Sequence, residues 1–189
     1  MIRWSSFAIQ WALMVLISAF LFTEFFRLNE HLFGFLQHNH DINWIFLPAG
    51  FRVLLVLVLG VPGTLGIGAA SLWLNLDRLD SSTLPFILAT GLASGFGPWC
   101  VKHFMQKRGL LSPDLTDISS SSLLQFVLLY AAFNAICHQL IFWGFSPESS
   151  RPWLDVWPMF VGDLTGALVV LYTFKLSLPW LRSLFQSRA

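Results

Sequence analysis

Arg52 and Asp163 are the residues of this chain whose types fit their surroundings least. Arg52 stands in the run Phe51-Arg52-Val53-Leu54-Leu55, and Asp163 in Val161-Gly162-Asp163-Leu164. A charge at the centre of such a run costs about 2.5–3.5 kcal/mol even on the mildest membrane-insertion scale, so it needs a partner or a task. If both runs cross a membrane from the same side, the two charges lie roughly 10 Å and 8 Å deep at 1.5 Å per residue. An ion pair between them is therefore the expected arrangement. Tyr130, Asn134 and His138 follow one another at four-residue steps, which places them on one helix face at the same level. The planar fork of an arginine suits an anionic group, a histidine changes charge near neutral pH, and an asparagine both donates and accepts. Arg52, Asp163, Asn134 and His138 are the candidate ligand-binding residues. The competing reading is that they only fix helix register.

Two further groups carry weaker signals. His31, His38 and His40, with Glu30 and Asp41 near them, would hold Zn²⁺ or Cu²⁺ if their loop folded back on itself. Their spacing matches no established metal signature, so no metal is expected. Cys100 and Cys137 both sit in apolar runs and read as small packing residues. The order of serines, histidines and carboxylates fits no nucleophile elbow, and no phosphate-binding loop is present. Neither an enzyme nor a cofactor is expected.

The elements that must position these residues follow from composition. Of 189 residues, 56% are apolar and only 11% charged, with 19 Phe, 9 Trp and a mean hydropathy of +0.67. That is more apolar surface than a soluble domain of this size can bury. Disordered, disulfide-stapled and nucleic-acid-binding classes are excluded on the same grounds, and a net charge of +1 offers no polyelectrolyte partner. The expected fold is all-α, a single polytopic transmembrane helical bundle. About six spans are placed at 6–26, 45–59, 64–76, 84–104, 123–143 and 158–174.

The first run has no small-residue cleavage site and reads as an uncleaved span. The second and third are short and joined by Val61-Pro62-Gly63; two thin crossings are preferred over one re-entrant hairpin. The stretch after Leu178-Pro179-Trp180 reads as a short interfacial helix.

Lysines and arginines set the orientation. With the N-terminus inside, seven (Arg3, Lys102, Lys107, Arg108, Lys175, Arg182 and Arg188) are cytoplasmic, against three outside (Arg27, Arg78 and Arg151). Both termini are thus expected in the cytoplasm. Trp44, Trp73, Trp143, Trp153 and Trp157 would form an outer aromatic belt, and Trp4 and Trp180 would anchor the inner face. The polar groups then gather in the outer half, as a crevice open to that side. Small pairs at four-residue spacing (Ala8/Ala12, Gly66/Ala70, Gly91/Gly95, Gly162/Gly166) allow close helix packing, or homodimerisation through one of them.

Two segments carry a resemblance. Asn43-Trp44-Ile45-Phe46-Leu47-Pro48-Ala49-Gly50 is followed by the small-residue stretch Leu65-Gly66-Ile67-Gly68, and the last span reads Phe160-Val161-Gly162-Asp163-Leu164-Thr165-Gly166. This order resembles the bacterial membrane-associated sensor domain of the first type. That family carries a Trp-x-x-Pro-x-Gly segment, then a Gly-rich segment, then Gly-Asp-x-x-Gly. The resemblance implies a sensory module that perceives a ligand or membrane state, with Pro48, Gly50, Gly162, Asp163 and Gly166 as its characteristic residues. The chain departs from it in a Trp-to-Pro spacing one residue longer, in fewer spans than the family's usual eight or so, and in Arg52, which maps to no motif position. Only 175–189 follows the last expected span, so signalling through a membrane or cytoplasmic partner protein is expected. A transport role is the alternative, because substrate-binding subunits of energy-coupling-factor transporters are similar in length and span number. An accessory or assembly subunit of a larger membrane complex is the third reading.

Overall fold

The computed structural model describes residues 2–39, 42–113, 118–146, 148 and 150–186, with side chains described for 6–39, 42–113, 118–146, 148 and 150–177. The fold is all-α apart from one small hairpin. Six helices run in order: α1 (Ile2–Phe33), α2 (Leu47–Leu59), α3 (Val61–Leu74), α4 (Leu84–Lys107), α5 (Ser120–Phe145) and α6 (Pro152–Gln186). Between α1 and α2 the short strands β1 (Gln37–Asn39) and β2 (Ile42–Asn43) pair antiparallel. Four helical stretches are long and apolar enough to cross a membrane: Ser6–Leu36, Leu84–Lys107, Ser120–Phe145 and Pro152–Ser177.

Helix ends follow local chemistry. Pro48, Pro62 and Pro85 stand in the first turns of α2, α3 and α4, where a missing N–H costs nothing. Ser119 caps α5, its Oγ accepting from the Ser122 N–H at 3.0 Å. Gly60 ends α2 at φ 63°, a backbone conformation that glycine alone adopts without strain, and α3 begins at the next residue. The hinge is therefore Gly60 alone. The expected connector Val61-Pro62-Gly63 is instead the first turn of α3.

Helices α2, α3, α4, α5 and α6 pack as a closed ring, each against the next and α6 back against α2, while α1 lies over α3 and α2. The ring core comprises Ala49, Val53, Leu57, Val101, Met105, Phe126 and Tyr130, and a second cluster of Phe22, Leu55, Val56, Ile67 and Ala70 seats α1. Small residues set the closest approaches. A Cβ on Gly66 would lie 2.6 Å from the Val15 carbonyl oxygen on α1, and one on Gly95 would lie 2.7 Å from the Thr64 carbonyl on α3. Ala8 and Ala12, by contrast, are exposed.

Several expected boundaries move. The first helix continues past residue 26 to Phe33, so Arg27 is helical and pairs with Glu24 at 3.0 Å rather than lying in a loop. The last starts at Pro152 and runs unbroken to Gln186, so the stretch after Trp180 prolongs α6 and is no separate interfacial helix. Pro179 does not break it. The second element changes most: helix begins only at Leu47, and the chain reaches it from strand β2 through bends at Trp44 and Ile45.

That non-helical entry is the most informative feature of the fold. Residues 43–46 run along α6, with the Phe46 N–H donating to the Gly162 carbonyl at 3.0 Å and the Thr165 hydroxyl to the Trp44 carbonyl at 3.0 Å. The Leu47 N–H donates to Asn29 Oδ1 of α1 at 2.8 Å. Irregular backbone in an apolar bundle needs its polar groups satisfied internally, and these bonds do so. Contact this close requires the glycines: a Cβ on Gly162 would fall 1.9 Å from the Asn43 oxygen, and one on Gly166 1.9 Å from that of Phe46. Gly162 and Gly166 thus admit non-helical backbone, where the sequence suggested the approach of a second helix. Gly50 does serve helix packing, lying against Ala167 and Val170 of α6.

Candidate functional site

All six helices and the β-hairpin enclose a cavity of about 430 Å³. Its walls include Phe22 and Glu30 of α1, Asn43 of the hairpin, Arg52 of α2, Ser71 and Leu74 of α3, Thr90 and Ser94 of α4, His138 of α5, and Met159 and Asp163 of α6. Three of the four expected ligand residues, Arg52, His138 and Asp163, line it directly. The fourth, Asn134, stands behind Asp163 and holds it.

Each of these groups is deeply buried and individually supported. Arg52 is 5% exposed, and its guanidinium carbon lies 5.2 Å from the ring centroids of both Phe22 and Phe46. Such ring faces stabilise a cation without neutralising it. Its Nη1 donates to the Tyr130 hydroxyl at 3.3 Å, while its Nε is buried without a partner. Asp163, 2% exposed, accepts a 2.6 Å bond from Asn134 Nδ2 on its Oδ2.

The expected Arg52–Asp163 ion pair is absent. Among the described residues no nitrogen of Arg52 comes within 4.0 Å of any carboxylate oxygen. The reason is geometric: α2 begins two residues later than expected, the Arg52 guanidinium lies against two phenyl rings and donates to Tyr130, and Asn134 satisfies Asp163 from the neighbouring helix. Both charges face the same cavity and remain unpaired.

His138 has a defined tautomer. A carbonyl can only accept, so the 3.0 Å contact between Nδ1 and the Asn134 carbonyl places the proton on Nδ1. In the neutral ring Nε2 is then an acceptor, and the Ser94 hydroxyl donates to it at 3.3 Å. Pro98, four residues along α4, lacks the N–H that would bond the Ser94 carbonyl, which loosens the helix ladder at this wall.

Tyr130, Asn134 and His138 do share one buried face of α5, as their spacing requires. Ser94, Phe22, Phe46 and Asn43 were not identified from sequence. For Ser94 a signal existed in the proline four residues later; the two phenylalanines are indistinguishable from the other 17 without coordinates.

Among the described residues the first-loop histidines form no metal-holding group. His31 lies exposed in the last turn of α1, and His38 Nε2 meets Asp155 Oδ1 of α6 at 3.1 Å. His40 and Asp41 lie outside the described residues. That His38–Asp155 contact ties β1 to the start of α6, and Asn43 Nδ2 donates to Glu30 Oε1 at 3.3 Å beneath it. The hairpin is thereby fastened over one end of the cavity.

An all-helical bundle with an internal polar cavity and four helices fit to cross a membrane is the class that fold and site define. Comparison with protein-family models, curated proteins and solved structures finds no match to this chain.

Proposed function

We propose that this chain is a sensor-like integral membrane protein that binds a small ligand in its cavity and acts through a partner protein. The observation that carries the reading is Arg52: a buried guanidinium facing about 430 Å³ of space, with no carboxylate among the described residues within 4.0 Å to neutralise it. A purely structural arginine would be paired, since an uncompensated buried charge is strongly destabilising. The resemblance of the Pro48/Gly50 and Gly162/Asp163/Gly166 segments to a bacterial sensor domain points the same way. It also supports placement in a bacterial inner membrane.

In this reading the chain crosses the membrane six times with both termini cytoplasmic, as the distribution of lysine and arginine favours. The second crossing is part strand and part helix. Thirteen helical residues in α2 span about 20 Å, and the strand and bends before it supply the rest of a hydrocarbon core of about 30 Å. Trp44, Trp73, Trp143, Trp153 and Trp157 are all exposed, as residues of an outer interfacial belt should be. A partner, or a second copy of the chain, would meet the exposed part of α1 around Ala8 and Ala12.

The test is thermal unfolding of the full chain in nanodiscs, with and without a concentrated small-molecule extract of bacterial cells. The extract should raise the melting temperature of the wild type and leave that of Arg52→Ala unchanged, with Arg52→Lys in between. If Arg52→Ala instead melts far lower and the wild type gains nothing from any addition, the residue is structural and the sensor reading fails. Co-purification with a coupling subunit and two ATPases would decide for transport.

A further inference from the structure

Arg52 and Asp163 each keep an atom in reserve. On Asp163, Oδ2 is taken by Asn134, while among the described residues Oδ1 has no hydrogen-bond partner, and neither has Nη2 of Arg52. The two side chains are 2% and 5% exposed, both line one cavity, and more than 4.0 Å separates their charged atoms. Opposite charges held this near in an apolar bundle attract strongly, and collapse into a pair would be the default outcome. Here each is held off: Arg52 by the Phe22 and Phe46 rings and Tyr130, Asp163 by Asn134. An anion alone would satisfy Arg52 and leave a carboxylate facing it; an ammonium alone would do the reverse.

Resting on the ligand-binding reading above, we infer that the cavity is built for a zwitterion, a molecule bearing an oxyanion and an ammonium group a few bonds apart. The oxyanion takes Arg52 Nη2 and the ammonium takes Asp163 Oδ1, so the ligand completes the ion pair that the fold withholds. Ser94 and His138 line the same cavity and offer further polar contacts. Free amino acids and phosphoethanolamine have this chemistry, and so does the headgroup of phosphatidylethanolamine.

The experiment measures binding to the full chain in phosphatidylglycerol nanodiscs by calorimetry and thermal shift. The probes are the twenty amino acids, O-phosphoethanolamine, and then the best binder's deaminated and decarboxylated counterparts. A parallel set of nanodiscs containing phosphatidylethanolamine separates the lipid from the soluble source. The expected result is that removing either charge from the probe weakens binding at least tenfold, equivalent to about 1.4 kcal/mol. Asp163→Asn, which can still accept from Asn134, should weaken the zwitterion tenfold while leaving the deaminated acid unchanged; a merely structural role would weaken both alike.

The inference is overturned if the acid binds as well as the zwitterion. It is equally overturned if neither the soluble probes nor phosphatidylethanolamine stabilises the wild type over Arg52→Met. In either case an extract-induced shift that Arg52→Ala abolishes would leave the broader ligand reading standing, so the two failures are separable.

Discussion

Replacing Gly166 by alanine tests the central feature of the fold, the non-helical entry of the chain along α6. The added Cβ would lie 1.9 Å from the Phe46 oxygen, 2.2 Å from its carbonyl carbon and 2.8 Å from the Leu47 nitrogen. All three are backbone atoms, so no side chain can swing away. Residue 46 would have to retreat by roughly 1.5 Å to reach ordinary van der Waals separation. Such a shift breaks the 3.0 Å bond from the Phe46 N–H to Gly162 and disturbs the 2.8 Å bond from Leu47 to Asn29. One or two lost hydrogen bonds at about 1 kcal/mol each, with overpacking of about 1–3 kcal/mol, give about 2–5 kcal/mol of destabilisation.

The assay is reversible unfolding of the full chain in mixed micelles, with Gly144→Ala as control. Nothing lies within 4 Å of a Cβ at Gly144, and relief of helix-interior glycine should stabilise that variant by up to about 1 kcal/mol. Gly162→Ala should behave like Gly166→Ala, its Cβ falling 1.9 Å from the Asn43 oxygen. A Gly166→Ala protein as stable as wild type would refute the close approach, and with it the account of how the cavity is closed on this side.

Other expectations follow from single contacts. Tyr130→Phe removes the hydroxyl that accepts from Arg52 and should cost about 1–3 kcal/mol of stability, measured by the same unfolding assay, because a buried donor is left unmatched. Asn134→Leu strips Asp163 of its bond and should cost at least as much, whereas the double variant Asn134→Leu/Asp163→Leu should recover part of the loss.

In the loop before α4, Asp80 accepts from the Ser82 hydroxyl and from the Ser82 and Thr83 N–H groups, which lowers its pKa from 3.8 to about 2. A depressed carboxylate contributes stability above its unfolded pKa and loses it as pH falls through the folded value. The turn should therefore hold unchanged from neutral pH to about 5 and loosen only in strong acid. Carboxyl NMR should find the Asp80 midpoint near 2, and a midpoint near 4 would remove the hydrogen-bonding argument. Orientation is checked by a single cysteine at Glu148 in a background free of Cys100 and Cys137. An impermeant maleimide should label it from the outside of intact cells.

Composition alone determined the class of this protein. Fifty-six per cent apolar residues and long runs without charge leave helices as the only economical way to satisfy the backbone, and the four long helices follow. Periodicity alone put Tyr130, Asn134 and His138 on one face, since four-residue steps fix a direction whatever the neighbours are. The gathering of Arg52, Asp163, Asn134 and His138 was legible for the same reason: charge is too scarce in this chain to be placed without consequence.

The pairing within that group was not legible. Depth along a helix says nothing of azimuth, and the depth itself shifts because residues 45 and 46, expected in the span, are not helical. Only the packed structure could decide that Gly162 and Gly166 open a groove for backbone, because a small residue permits close approach without saying what approaches. The same packing decided that Phe22, Phe46 and Tyr130 hold Arg52 away from Asp163. A sequence records which charges must be accommodated; the distance between them is set by the side chains that wedge them apart, and here these come from α1, from α5 and from the non-helical entry to α2.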